Sequence, residues 1–291
     1  NRYLVLENHQ RHYYQKHFDS TRWEKVVLKK NELPPTNDFP YKYMQARGKN
    51  YLVHKGCGEV YVLSNDSIIR IDNSFQHKNQ YFASTFVYKD DIYFWGGYGL
   101  FTYKNILTKF NFTTKEWDII KYSDYNTVPE PRKMAMSYLR DDELFIIGGV
   151  AEDYSTTNEN SNKNILNDIW KLNLTTKSWQ HVGDIKNKSI PKLIPFHHAY
   201  FNIRDTLFFN SNQLSGLHIP DNKVFSYSND KKTANEKYNP KRGQIIYSLT
   251  SSDQSQRSTM VIVEKMDLYR GKIMASSNLY KDESNWVFIL A

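Results

Sequence analysis

The residues best suited to chemistry are few and scattered. His197-His198 is the most suggestive pair. Neighbours on a strand point to opposite faces, however, so two such rings do not share one ion comfortably. The nine histidines are dispersed, with no His-x-His and no His-Glu-x-x-His spacing. The sequence therefore predicts no metal centre and no cofactor. Cys57 is the single cysteine, which excludes an internal disulfide and a multi-cysteine zinc site. It ends the run Tyr51-Leu-Val-His-Lys-Gly-Cys57 and reads as a packing residue. No nucleophile elbow is present. Glu130, Arg132 and Glu152 are available for acid–base work, but Arg132 beside Pro131 has a simpler reading as a brace at the start of a strand. No residue is assigned a catalytic role.

The elements that carry these residues are strands. Aromatic residues make up 15% of the chain, with 22 Tyr and 16 Phe, and such side chains suit a pleated, half-buried surface. The 291 residues suffice for one large all-β domain. Net charge is +8, yet the basic residues are mixed with Asp and Glu, and the densest pairs are only Lys29-Lys30 and Lys231-Lys232. A nucleic-acid footprint clusters on one face, so no nucleic-acid partner is expected of this domain. No run approaches the roughly 18 apolar residues of a membrane span. The chain starts at Asn1 without Met, as a processed or trimmed piece would. It ends in the apolar Trp286-Val-Phe-Ile-Leu-Ala291, either a closing strand or the start of a membrane attachment after Ala291.

A repeat organises the strands. Asp91-Ile-Tyr-Phe-Trp-Gly-Gly97 is echoed by Glu143-Leu-Phe-Ile-Ile-Gly-Gly149, 52 residues on. Phe110-Asn-Phe-Thr-Thr-Lys-Glu-Trp117 is echoed by Leu172-Asn-Leu-Thr-Thr-Lys-Ser-Trp179, and Phe18-Asp-Ser-Thr-Arg-Trp23 is a third copy of that half. The run from Ile92 to Trp95 is apolar without alternation, so both faces of that strand are covered. Gly96-Gly97 and Gly148-Gly149 permit positive φ and close backbone approach. Thr-Thr-Lys is hairpin-turn material, and the Trp that follows is large enough to seal the gap between neighbouring sheets. Asn-x-Ser/Thr occurs at Asn65, Asn111, Asn173 and Asn187, and the middle two fall in these turns, so they are not read as glycosylation sites.

This pattern resembles the kelch family, whose repeat period is near 50 residues. The resemblance is specific at 82–120 and 134–182, and Pro131-Arg132 fits the family's Pro-then-Arg entry. It decays at 43–74, which lacks a closing Trp, and at 197–240, where Asn210-Ser211 stands for Gly-Gly; beyond 244 only continuity supports it. The resemblance implies an all-β, β-propeller fold of four-stranded blades in a single domain over 1–291. Six blades is the working count, with five and seven also compatible. A degenerate blade is expected near 244–270, and strands from 272–290 are expected to join those of 11–28, with Trp23 on an outer strand. Closure of that kind removes an exposed sheet edge.

In such a fold the loops 98–103, 122–133, 150–167 and 192–198 share one rim over the central channel. A long loop on a rigid scaffold is where binding usually lives. Tyr98, Arg132, Tyr154 and His197 are the candidate contacts, since aromatic rings and Arg carry much of the energy at binding surfaces. The expected function is non-catalytic recognition or sensing of a protein, peptide or glycan, in an extracytoplasmic setting like that of membrane-anchored regulators. Alternatives are a carbohydrate-active enzyme of the same fold, such as an oxidase or a sugar-acid mutarotase, and a plain interaction scaffold.

Overall fold

Runs apolar on both faces become strands covered on both faces. Within Asp91–Trp95, Ile92, Phe94 and Trp95 are buried, as are Leu144, Ile146 and Ile147 within Glu143–Ala151. The computed structural model describes residues 2–7, 12–17, 24–34, 41–73, 77, 79–151, 164–185, 200–203, 206–210, 214–219, 223–227, 259–263 and 273–278. Every regular element among them is a strand, and the fold is an all-β propeller.

The clearest blade is the antiparallel meander Ser84–Tyr88, Asp91–Trp95, Leu107–Asn111, Glu116–Ile120, running from inner to outer edge. The next repeats it with Met136–Arg140, Glu143–Ala151, Asn164–Asn173 and Ser178–Asp184. The preceding blade is Tyr41–Ala46, Lys49–His54, Val60–Leu63 and Ser67–Arg70, with Lys30–Asn31 pairing in parallel on its outer edge. A fourth sheet holds Tyr200–Ile203, Thr206–Asn210, Leu214–His218 and Lys223–Tyr227.

A fifth sheet joins the two ends of the chain. Thr259–Val263 pairs with Arg2–Glu7, followed by His12–His17 and Glu24–Val27. The C-terminal partner differs from the expected 272–290 segment. Thr-Met-Val-Ile-Val is apolar and β-branched and suits pairing beside Tyr-Leu-Val-Leu, whereas Ile273–Asn278 is half polar and extends the edge beyond Lys223–Tyr227. Trp23 lies outside the described residues, as does most of 244–270.

Trp117 and Trp179 occupy equivalent places. Each sits on the outer strand opposite the apolar residue of the third, Phe110↔Trp117 and Leu172↔Trp179. Each fills the seam with the preceding blade. Trp117 is buried with Met44, Tyr51, Val53 and Val60, and Trp179 with Phe86, Trp95, Leu107 and Tyr122. The Asn-x-Thr turns cap themselves. Asn111 Oδ1 accepts from the amides of Thr113 and Thr114 (3.0 and 3.2 Å), and Asn173 Oδ1 from those of Thr175 and Thr176 (2.9 Å each).

The Gly-Gly pairs behave unequally. The first strand ends at Trp95, ahead of Gly96-Gly97, while the second continues through Gly148-Gly149 to Ala151 with a bulge between Ile147 and Gly149. The continuation has partners on both sides, Arg132–Lys133 and the start of Asn164–Asn173. After Gly97 the chain instead turns out into its own hairpin, Tyr98–Gly99 against Thr102–Tyr103. Gly97 has φ +94°, and a Cβ there would meet the Gln80 carbonyl at 2.8 Å, so both conformation and space demand glycine.

Candidate functional site

The inner strands of three successive blades are tied together around the axis. Lys42 Nζ donates to the Thr85 carbonyl at 2.5 Å, and Ser84 Oγ donates to the Ala135 carbonyl at 3.0 Å. These contacts lie where the inner strands begin, on the rim that also carries the loops after Gly96-Gly97 and before Met136.

The segments entering the blades are built alike. Gln80 and Arg132 stand 52 residues apart, as the glycines do, and both are fully buried. Gln80 Nε2 donates to the Gly96 carbonyl (2.9 Å) and its Oε1 accepts from Thr108 Oγ1 (2.8 Å). Arg132 Nη1 donates to the Gly148 carbonyl (3.1 Å), and Nη1 and Nη2 hold Asp168 as a bidentate pair (2.5 and 2.8 Å). Phe82 and Met134 share a left-handed backbone, with φ of 60° and 62°. The sequence reading missed Gln80, although its 52-residue offset from Arg132 was visible.

Of the four candidate contacts, Tyr98 and Arg132 are described, while Tyr154 and His197 lie outside the described residues. Tyr98 stands half-buried on the rim, its ring 5.3 Å from that of Tyr103. Lys133 spreads its ammonium over Tyr98, Tyr103 and Phe82 at 5.2, 5.1 and 5.9 Å from the ring centres. The Arg132 guanidinium is enclosed and committed to Asp168 and Gly148, which is the bracing role, so its substitution reports on the blade before any ligand.

Two further lysines were not anticipated. Lys42, on the inner strand Tyr41–Ala46, and Lys55, just after Lys49–His54, come from one blade and lie near enough for their charges to interact. Burial and the nearby positive charge of Lys55 bring Lys42 down to about 8, and burial lowers Lys55 as well. Among the described residues neither ammonium has a carboxylate partner within 4 Å. The nearby Glu59 is engaged by Arg70 at 3.2 Å and by the Tyr61 hydroxyl at 3.0 Å. A lysine inside an inner strand otherwise rich in Tyr and Met was the only signal.

Cys57 has a neighbour that its sequence context did not mark. The Tyr81 hydroxyl lies 3.0 Å from its Sγ and is pushed up to about 12, first by that hydrogen bond and then by burial. His54 Nδ1 accepts from the amides of Gly56 and Cys57 (3.0 and 2.9 Å), and burial lowers its pKa. Among the described residues no three of His, Cys, Asp and Glu gather as metal ligands would.

A lysine with a lowered pKa in the folded state destabilises the fold while it is protonated. The unfolded chain holds that proton up to about 10.5, so stability should rise as pH climbs from about 8 to 10.5. Lys42→Met is expected to raise stability by about 1–2 kcal/mol at neutral pH, the relieved desolvation exceeding the lost bond to Thr85. Urea unfolding at neutral pH and above pH ~10.5 checks this, and the gain should vanish in the alkaline series.

Blades entered by Gln80 and Arg132, with a glycine pair at or just after the end of the second strand's apolar run and seams plugged by Trp, define a kelch-type propeller. The chain matches the model of the KLHDC2/KLHL20/DRC7 Kelch-repeats domain over residues 7–211, and it belongs to that family. Among curated proteins none matches it. A kelch-repeat domain fits a protein-interaction module.

Proposed function

We propose that this propeller is a non-catalytic recognition module that takes an acidic segment of a protein, peptide or glycan at its channel mouth. The carrying observation is the pair Lys42 and Lys55, two partly desolvated ammonium groups without a described carboxylate partner. An anionic ligand restores what burial removes from them, and a charge-assisted bond in such a site is stronger than in water. Tyr98 and Tyr103 add aromatic surface on the same rim. A sensory, extracytoplasmic setting belongs to the same proposal and rests on the resemblance to propellers of membrane-anchored regulators.

Arrays of acidic and neutral peptides and glycans, followed by fluorescence anisotropy on the hits, test the reading. Lys42→Met and Lys55→Met should each weaken an acidic hit at least about tenfold, with melting temperature maintained or raised. Affinity should also fall as pH rises through about 8, where Lys42 loses its proton. Preference for neutral ligands, or turnover of a sugar that depends on Glu130 or Glu152, would overturn it.

A further inference from the structure

The hairpin Tyr98–Gly99/Thr102–Tyr103 turns on two residues, Leu100 and Phe101, with φ of 54° and 65°. A two-residue turn left-handed at both centres favours Asn-Gly. Here it carries two bulky apolar side chains, 73% and 92% exposed. The strained backbone therefore presents Leu and Phe to solvent instead of burying them. Tyr81 and Phe82 beside them are exposed to 40% and 38%.

The tip is held rigidly. The Tyr98 and Tyr81 backbones exchange both hydrogen bonds, at 2.7 and 2.8 Å. Gly99 lies so close to the 79–83 segment that a Cβ there would run into the Asn79 carbonyl. Lys133 clamps the rings at the base. The surroundings are basic. The segments 55–58, 79–83, 96–106 and 131–135 contain Lys55, Lys104, Arg132 and Lys133; of the acids that flank them, Glu59 is engaged by Arg70 at 3.2 Å and Glu130 is exposed. Asp168 neutralises Arg132, leaving three lysines around an apolar knob.

We infer that this knob docks the propeller reversibly onto an anionic lipid bilayer, with Leu100 and Phe101 entering the interface and the lysines facing the headgroups. Charge complementarity selects the occupant. A bilayer offers negative charge above an apolar layer, the order in which the lysines and the tip stand, and it needs no shaped pocket for two side chains. Tyr and Phe at the base suit the headgroup level. Neither signal suffices alone, since a small apolar insertion needs electrostatic help to hold. The inference shares Lys55 with the proposed ligand site, but it rests on the Leu100–Phe101 tip, and the variant that tests it leaves Lys42 and Lys55 in place.

Co-sedimentation with vesicles of phosphatidylcholine, with and without phosphatidylglycerol, tests it on the full chain. The protein should bind the phosphatidylglycerol vesicles at least about tenfold more tightly at low salt, and added salt should release it. The paired change Leu100→Asn and Phe101→Gly supplies the residues the turn prefers, so melting temperature should hold or rise while vesicle binding falls at least about tenfold. Equal binding to both vesicles, no binding to either, or unchanged binding by the variant would overturn the inference. Self-association of the wild type that the same variant abolishes, without vesicle binding, would overturn it too and reassign the knob to a second copy of the chain.

Discussion

Trp117→Ala is expected to lower the stability of the propeller by about 3–5 kcal/mol, the range for emptying a buried aromatic site. The indole is 3% exposed, lies 4.5 Å from the Phe94 ring and 5.4 Å from Phe110, and covers Met44, Tyr51, Val53 and Val60 of the preceding blade. Its Nε1 also donates to the Gly58 carbonyl at 2.7 Å, a bond that crosses the seam. Removing it opens a cavity between two rigid sheets, which collapse poorly because each is held by its own ladder. Trp117→Phe separates the two contributions. It keeps most of the apolar contact and loses the bond to Gly58, so about 1 kcal/mol of the total should remain in that variant alone, besides a smaller cavity term. Chemical denaturation of the three proteins decides it. A loss below about 1 kcal/mol for Trp117→Ala would show that the seam does not depend on the indole.

The equivalence of Trp117 and Trp179 was legible because the repeat preserves both spacing and residue type. Apolar residue, Asn-capped turn, Lys with positive φ and Trp recur as a unit, and the structure gives that unit one shape twice. The Gly-Gly pairs were legible as conformational demands, but their continuation was not. Whether a strand ends at the pair or runs through it depends on partners far along the chain, Arg132–Lys133 in one blade and a local hairpin in the other. Lys42 and Lys55 were hidden for a related reason. An inner-strand lysine is unremarkable until the ring brings Thr85 of the next blade to its ammonium. Leu100-Phe101 passed as ordinary apolar residues, since exposure and left-handed φ are properties of the folded hairpin. The Gln80–Arg132 correspondence was obscured by chemistry, a neutral amide replacing a guanidinium at the same step of the repeat.

That correspondence leads to the second large effect. Arg132→Ala is expected to destabilise the fold by about 3–5 kcal/mol, because it leaves Asp168 and the Gly148 carbonyl without their main partner. The guanidinium is wholly buried, and besides Asp168 and Gly148 it donates to the Glu130 carbonyl at 2.9 Å. Much of the loss reflects an abandoned charge and not the intrinsic worth of the pair. Gln80 shows that an amide can close the same gap in the neighbouring blade, where the third strand offers the hydroxyl of Thr108 instead of a carboxylate. Arg132→Gln should therefore remain costly alone and become milder when combined with Asp168→Asn, which removes the unpaired charge. The coupling between the two sites should be at least about 1 kcal/mol in a double-mutant cycle read by urea unfolding. Trp170 Nε1 donates to Asp168 Oδ2 at 2.7 Å, and in the Asp168→Asn variant the side-chain amide oxygen can take over as its acceptor. Additive losses would mean that the guanidinium acts through packing alone, and the likeness between the two blade entries would then be one of shape without a shared electrostatic role.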